Sequence, residues 1–161
     1  LEKPVKRPRR PGIRRLRLRR AEVLQAARGW IGTPYQHQAS LKGIGSDCLG
    51  LLRGVWREVI GDEPQRFQPY SPSWAEVSGE NLLEDAARRH LLAAKHGASI
   101  EAGMVILFRW RPHLPAKHCA IATGPDGFIH AHDGVSVAEV ALVPGWQRRI
   151  VGLFDFPVGS A

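Results

Sequence analysis

SDCLGLLRGVWREVI, residues 46–60, is the stretch on which the fold turns. Ser46 and Asp47 are residue types that start helices, because a short side-chain oxygen accepts from the free backbone N–H groups of the first turn. Beyond them Leu49, Leu52, Trp56 and Val59 recur at helical spacing, flanked by Leu51 and Val55, which predicts a helix to Ile60. Gly50 and Gly54 lie one turn apart inside it, each at a cost of about 1 kcal/mol relative to alanine. A cost of that kind implies a close approach by another backbone, so the helix is expected to be central and buried. The same reading puts the thiol of Cys48 in the first turn, where unpaired N–H groups and the positive end of the helix dipole favour thiolate.

Downstream, NLLEDAARRHLLAAKHG (81–97) reads as an amphipathic helix ended by Gly97, with Leu82, Leu83, Ala86, Leu91 and Ala94 on its apolar side. The pattern then changes. GMVILFRW (103–110), KHCAIAT (117–123), GFIHAH (127–132), VSVAEVALV (135–143) and RRIVGLFDF (148–156) are β-rich, and GPDG at 124–127 is a hairpin turn. Helices followed by about five strands predict an α+β layer fold with an antiparallel sheet. Upstream, AEVLQAARGW (21–30) reads as a short helix and residues 32–46 as a loop; residues 62–79 form a connection in which Tyr70 and Trp74 are expected to pack on the domain.

At 161 residues and 43% hydrophobic, the chain suits one domain with a sizeable core. No apolar run approaches the length of a membrane span. The formal charge of +8 suggests a nucleic-acid binder until its distribution is read. Residues 1–20 hold ten Lys and Arg against one acid, which leaves 13 bases and 14 acids elsewhere. Nucleic acid is therefore not an expected partner of the folded part. Residues 1–20, with three prolines and repelling like charges, read as a disordered basic arm, and residues 21–161 as the domain. The arm lacks the apolar core of a secretory signal, so export through it is not expected.

His118 lies on a predicted strand with Ala120 and Ala122 on its face, while Cys119 points the other way with Ile121. A cysteine at a helix start facing a histidine on a sheet can work as a nucleophile and base. His130, across the GPDG turn, can orient His118, the role that a third polar group fills in other triads. His132 shares the face of His130 two residues further from the turn, and Asp133 is a weaker candidate again. Taken singly, Cys48 and Cys119 also fit as small buried core residues, and the two could in principle be bridged. His113, His118, His130 and His132 could instead hold zinc, although no HExxH helix or CxxC knuckle is present and zinc leaves Cys48 unexplained. Neither a metal nor another cofactor is expected.

The stretches Trp30-Ile31-Gly32-Thr33-Pro34-Tyr35, Ser46-Asp47-Cys48-Leu49-Gly50-Leu51, Lys117-His118-Cys119-Ala120-Ile121-Ala122 and Phe128-Ile129-His130-Ala131, in this order, resemble the NlpC/P60 family of papain-like cysteine peptidases. The resemblance covers most of residues 21–156. It implies a papain-like fold, with Cys48 as nucleophile, His118 as base, His130 as the third member, and Tyr35 beside the thiol positioning substrate or stabilising the oxyanion. It further implies hydrolysis of peptidoglycan stem peptides, commonly between D-γ-glutamyl and a diamino acid. Leu49 stands where the family usually has Ser or Ala, a departure that bears on substrate subsites. The variant looks most like the subset carried by tailed phages and gene transfer agents, which implies tail-hub or tail-tip partners, a location in the tail of a virion-like particle made in the cytoplasm, and action on the cell wall. A structural tail component with a hydrolase-derived fold, and an amidase or acyltransferase using the same triad, remain open.

Overall fold

The computed structural model describes residues 10–67 and 81–159. The first element, α1, is Ile13–Arg28, so the boundary expected at residue 20 falls inside a helix. Its buried side is Leu16, Arg20, Val23 and Ala27. Repelling charges do not prevent it because one of them is neutralised inside. Arg20 forms a two-pronged pair with Asp155, Nε to Oδ1 at 2.7 Å and Nη2 to Oδ2 at 3.0 Å, and also bonds Glu101. Residues 1–9 of the arm lie outside the described residues, as do Tyr70 and Trp74.

A two-stranded ribbon, β1 (Ser40–Leu41) and β2 (Gly45–Ser46), leads into α2, Cys48–Val59. The cap is Asp47, whose side chain accepts from the backbone N–H of Gly50. The buried side of α2 is Gly50, Leu51, Leu52, Gly54 and Val55. It is turned from the stripe that spacing suggests, and Leu49, Trp56 and Val59 are only half-buried. The two glycines explain the rotation. A Cβ on Gly50 would collide with the Ala39 carbonyl, and one on Gly54 with the Trp30 ring. The expected backbone approach is thus found at Gly50, and an indole takes its place at Gly54.

The next helix, α3, is Leu82–His90 and stops seven residues before Gly97. Leu91 is extended, and β3 (Leu92–Ala93) pairs with β8 (Ile150–Asp155). An open sheet edge supplies hydrogen bonds that override the helical spacing of Leu91 and Ala94. Between these come β4 (Val105–Phe108), β5 (His118–Gly124), β6 (Gly127–His132), β7 (Val135–Ala141) and a one-turn helix, α4 (Pro144–Gln147). The five expected strands are all present, and β3 makes a sixth in the order β3-β8-β4-β5-β6-β7, antiparallel throughout.

Strand alternation divides the core in two. Val105, Leu107, Cys119 and Ile121 join Val23, Ala27, Trp30, Leu51 and Val55 on the side of α1 and α2. Ile106, Phe108, Ala120, Ala122 and Phe128 form a second cluster with Trp146 of α4 against it. The fold is α+β, as expected, with the N-terminus of the central helix directed at one end of the sheet.

Candidate active site

Backbone pairing brings the Gly32–Tyr35 segment to the start of α2. Gly32 N–H donates to the Val137 carbonyl and Val137 N–H to the Thr33 carbonyl, both at 2.8 Å, which fastens the segment to β7. On the other side Ser46 N–H donates to the Pro34 carbonyl and Gln36 N–H to the Ser46 carbonyl. Gly32 has φ +91°, a backbone setting that other residues resist. Tyr35 is therefore held by main-chain bonds to the residue two before Cys48.

Asp47 fixes the loop from the opposite side. It is 4% exposed, with Oδ1 accepting from Gly50 N–H at 2.7 Å and Oδ2 from Gln38 N–H at 2.8 Å. Cys48 then opens α2, half-buried, its Sγ 3.9 Å from the Lys117 carbonyl. That contact brings the helix start against the first residues of β5. Cys48 and His118 both line a cavity of about 420 Å³ at this end of the sheet, together with Tyr35, His37, Asp47, Trp110, Lys117, Ala131, His132 and Asp133.

His118 Nε2 lies 2.8 Å from His130 Nδ1, and both rings are buried. One nitrogen of His118 is thereby engaged, which leaves Nδ1 for the thiol. Burial, reinforced by the charges of His118 and His132, pushes His130 down to about 3. His130 therefore stays neutral at working pH and accepts the Nε2–H of His118 without competing for its proton. The ring of His118 is thereby oriented with Nε2 toward His130 and Nδ1 turned away from it. The imidazole rests in an aromatic surround of Phe108, Trp110 and Trp146, with Trp110 stacked at 5.4 Å between centroids.

The Cys48 thiol is held well below its ordinary value, first by a hydrogen bond from the Cys119 thiol and then by His118, against the cost of burial. Cys119 moves the opposite way: its bond to Cys48, burial and the nearby negative charges hold it well above its ordinary value. The two cysteines are not bridged, and their neighbourhood favours ionisation of Cys48 over Cys119. Tyr35 is pushed up to about 12 by burial and by the charges of Asp47, Cys48 and Asp133. It remains an O–H donor in the same cavity as Cys48. A thiol of lowered pKa, an imidazole oriented by a second ring, a hydroxyl donor and the N–H groups of a helix start are together the groups that nucleophilic acyl transfer requires.

No protein-family model matches the sequence, and no curated protein matches it. Solved structures do match. A NlpC/P60 family protein from Bacillus cereus aligns at a TM-score of 0.60 with 18% identity, over 85% of this chain and 40% of its own. The NlpC/p60 domain of the peptidoglycan hydrolase SagA aligns at 0.54 with 24% identity, over 88% of this chain and 98% of that domain. The fold is that of NlpC/P60 domains. The peptidoglycan hydrolase RipB from Mycobacterium tuberculosis aligns at 0.52 with 17% identity, over 93% of this chain and 70% of its own. The chain spans less than half the length of the Bacillus cereus protein and nearly all of the SagA domain.

On this NlpC/P60 scaffold Cys48, His118 and Tyr35 line one cavity, and His130 lies buried behind it, bonded to His118. His132 and Asp133 also reach its wall, whereas His113 is exposed and stands apart from the histidine cluster. Sequence reasoning missed three contributions. Asp47 was legible as a cap but not as the latch on Gln38. Trp146 sits on a one-turn helix with no periodicity to announce it. Cys119, readable only as a core thiol, lies against Cys48 and lowers its pKa.

Proposed function

We propose that the chain is a cysteine peptidase that hydrolyses peptide bonds in peptidoglycan stem peptides, at the bond between D-γ-glutamyl and a diamino acid. The observation that carries this reading is Cys48 at the start of α2 in one cavity with His118, whose Nε2 is held by His130. SagA and RipB, whose folds this chain shares, are peptidoglycan hydrolases.

The chemistry runs in two halves. Cys48 Sγ attacks the scissile carbonyl carbon, and the oxyanion is met by the Tyr35 hydroxyl and the backbone N–H of Cys48. The C–N bond breaks as His118 gives its Nδ1 proton to the leaving amine, leaving a thioester. Water then attacks the thioester while His118 Nδ1 takes its proton, releasing the carboxylic product and regenerating Cys48. His130 keeps the imidazole in the required tautomer throughout. No step calls for a cofactor.

We also propose that the protein works in the tail of a phage-like particle, docked to tail-hub or tail-tip proteins and acting on the cell wall. The sequence resemblance supports this setting. So does the exposed basic face of α1, where Arg14, Arg15 and Arg17 offer positive charge for docking.

Digestion of purified peptidoglycan by the wild type and by Cys48→Ala, with fragments identified by mass, tests the activity. Stem-peptide fragments from the wild type alone support it. Fragments cut at the sugar–peptide amide would make the protein an amidase, and intact material in both digests would leave only a binding role for the fold.

A further inference from the structure

The peptidase reading uses two of the three histidines that cluster where β5 begins and β6 ends. His132 is the third, and its ring lies parallel to His130 at 5.6 Å and edge-on to His118 at 5.6 Å. One ligand-capable nitrogen from each of His118, His130 and His132 lies within 4.8 Å of the other two. We propose that these three side chains form a site for a borderline transition-metal cation, zinc above all, and that the ion holds the enzyme in an inactive state.

The donor set argues for the ion. Three imidazoles suit zinc, nickel or copper, whereas magnesium and calcium demand oxygen ligands. Zinc bonded to histidine at about 2.0–2.1 Å in a tetrahedral site sets its ligand nitrogens about 3.4 Å apart. The present separations bracket that value, with the hydrogen-bonded pair at 2.8 Å and the widest within 4.8 Å. The group best able to close the gap is His132. It is half-buried, follows an irregularity in the β6–β7 register, and precedes Gly134 in a turn with φ +73°. His118 and His130 need only part slightly as coordination replaces their hydrogen bond.

The consequence for the reaction follows from the nitrogen that faces His130. The ion takes His118 Nε2, where a proton otherwise sits. In the ion pair of Cys48 and His118 that proton is displaced to solvent; in the neutral pair the ring's single proton moves to Nδ1. Either way a metal-bound neutral His118 carries its proton on Nδ1 and has no lone pair there. Such a ring is a far weaker acid at Nδ1 than the imidazolium that serves acylation, so the leaving amine goes without its proton, no thioester forms, and turnover stops although Cys48 remains in place. The regulatory half of this inference rests on the peptidase reading, whereas the metal site does not.

Cobalt is the probe for the site. The full chain, stripped with chelator, is titrated with Co²⁺ and followed by its visible absorption, then titrated with Zn²⁺ in competition. One equivalent is expected to bind in the wild type, and His132→Ala and His132→Gln are each expected to weaken it by about tenfold or more. Binding equal in all three proteins, or no binding, overturns the site. The inactive state is read separately, as the ratio of hydrolysis rates in chelator and in zinc within each protein. A wild-type ratio well above one that collapses toward one in both His132 variants is the expected result, and a wild-type ratio of one overturns the regulation. If no hydrolysis appears under any condition, the peptidase reading fails and the cobalt titration still decides the metal site.

Discussion

Replacing Asp47 by Asn and by Ala separates two tasks of one carboxylate. Oδ1 caps α2 through Gly50 N–H and Oδ2 holds Gln38 N–H, in a setting only 4% exposed. Asn keeps one carbonyl oxygen for the cap, but its amide nitrogen cannot accept from Gln38. One bond is lost and a part-buried N–H is stranded, which costs about 1–3 kcal/mol. Gln38 is also a non-glycine residue at φ +62°, a strained setting that this bond helps to hold. Ala removes the cap as well, adding about 1 kcal/mol. The expected order is therefore wild type, then Asn, then Ala, with Ala lower by about 2–4 kcal/mol in total. Urea unfolding measures it, with an unchanged denaturant slope showing that the difference is one of stability. Because the same loop carries Tyr35 and His37 to the cavity, hydrolysis should fall in the same order. Asn and Ala costing the same, or neither costing more than about 0.5 kcal/mol, refutes the latch.

Tyr35→Phe should lower kcat about a hundredfold with little change in KM, as expected for a lost oxyanion donor. The ratio to wild type should stay flat to about pH 10, because a hydroxyl held at about 12 keeps its proton throughout that range. Arg20→Met leaves the buried carboxylate of Asp155 with only the longer contact to Arg10, at 3.5 Å, and should cost about 3–5 kcal/mol in urea unfolding. The double change of Arg20→Met with Asp155→Leu should recover most of that loss, and a single change without measurable cost contradicts the pairing.

Local chemistry made the centre of this molecule readable. Asp47 before an apolar helical pattern announces both the helix and the position of Cys48, and GPDG between two β-rich runs announces the hairpin that sets His130 against His118. What depends on distant partners was hidden. Leu16, Val23 and Ala27 carry a helical spacing, but Arg20 on the same face is intelligible only with Asp155, 135 residues later, to receive it. The end of α3 at His90 and the switch to β3 require the open edge of β8. The buried side of α2 is set by Ala39 and Trp30 lying over its glycines, which apolar spacing alone cannot show. At the site, the meeting of Cys48 with His118 depends on the helix start reaching the end of β5, and the partnership of Cys48 with Cys119 depends on their sharing one side of the sheet.

The central claim is that Cys48 is a nucleophilic thiolate sustained by His118 and Cys119, and the pH dependence of its alkylation tests that claim without knowledge of any substrate. A thiol lowered by the fold remains thiolate at neutral pH and loses reactivity only as pH falls through its depressed value. Iodoacetamide followed by mass spectrometry should label Cys48 rapidly at neutral pH, with a midpoint well below the free-cysteine value of about 8.5. Cys119, buried and raised, should stay unlabelled. His118→Ala should move the Cys48 midpoint upward. Slow and equal labelling of the two cysteines, or a Cys48 midpoint that His118→Ala leaves in place, would contradict the account.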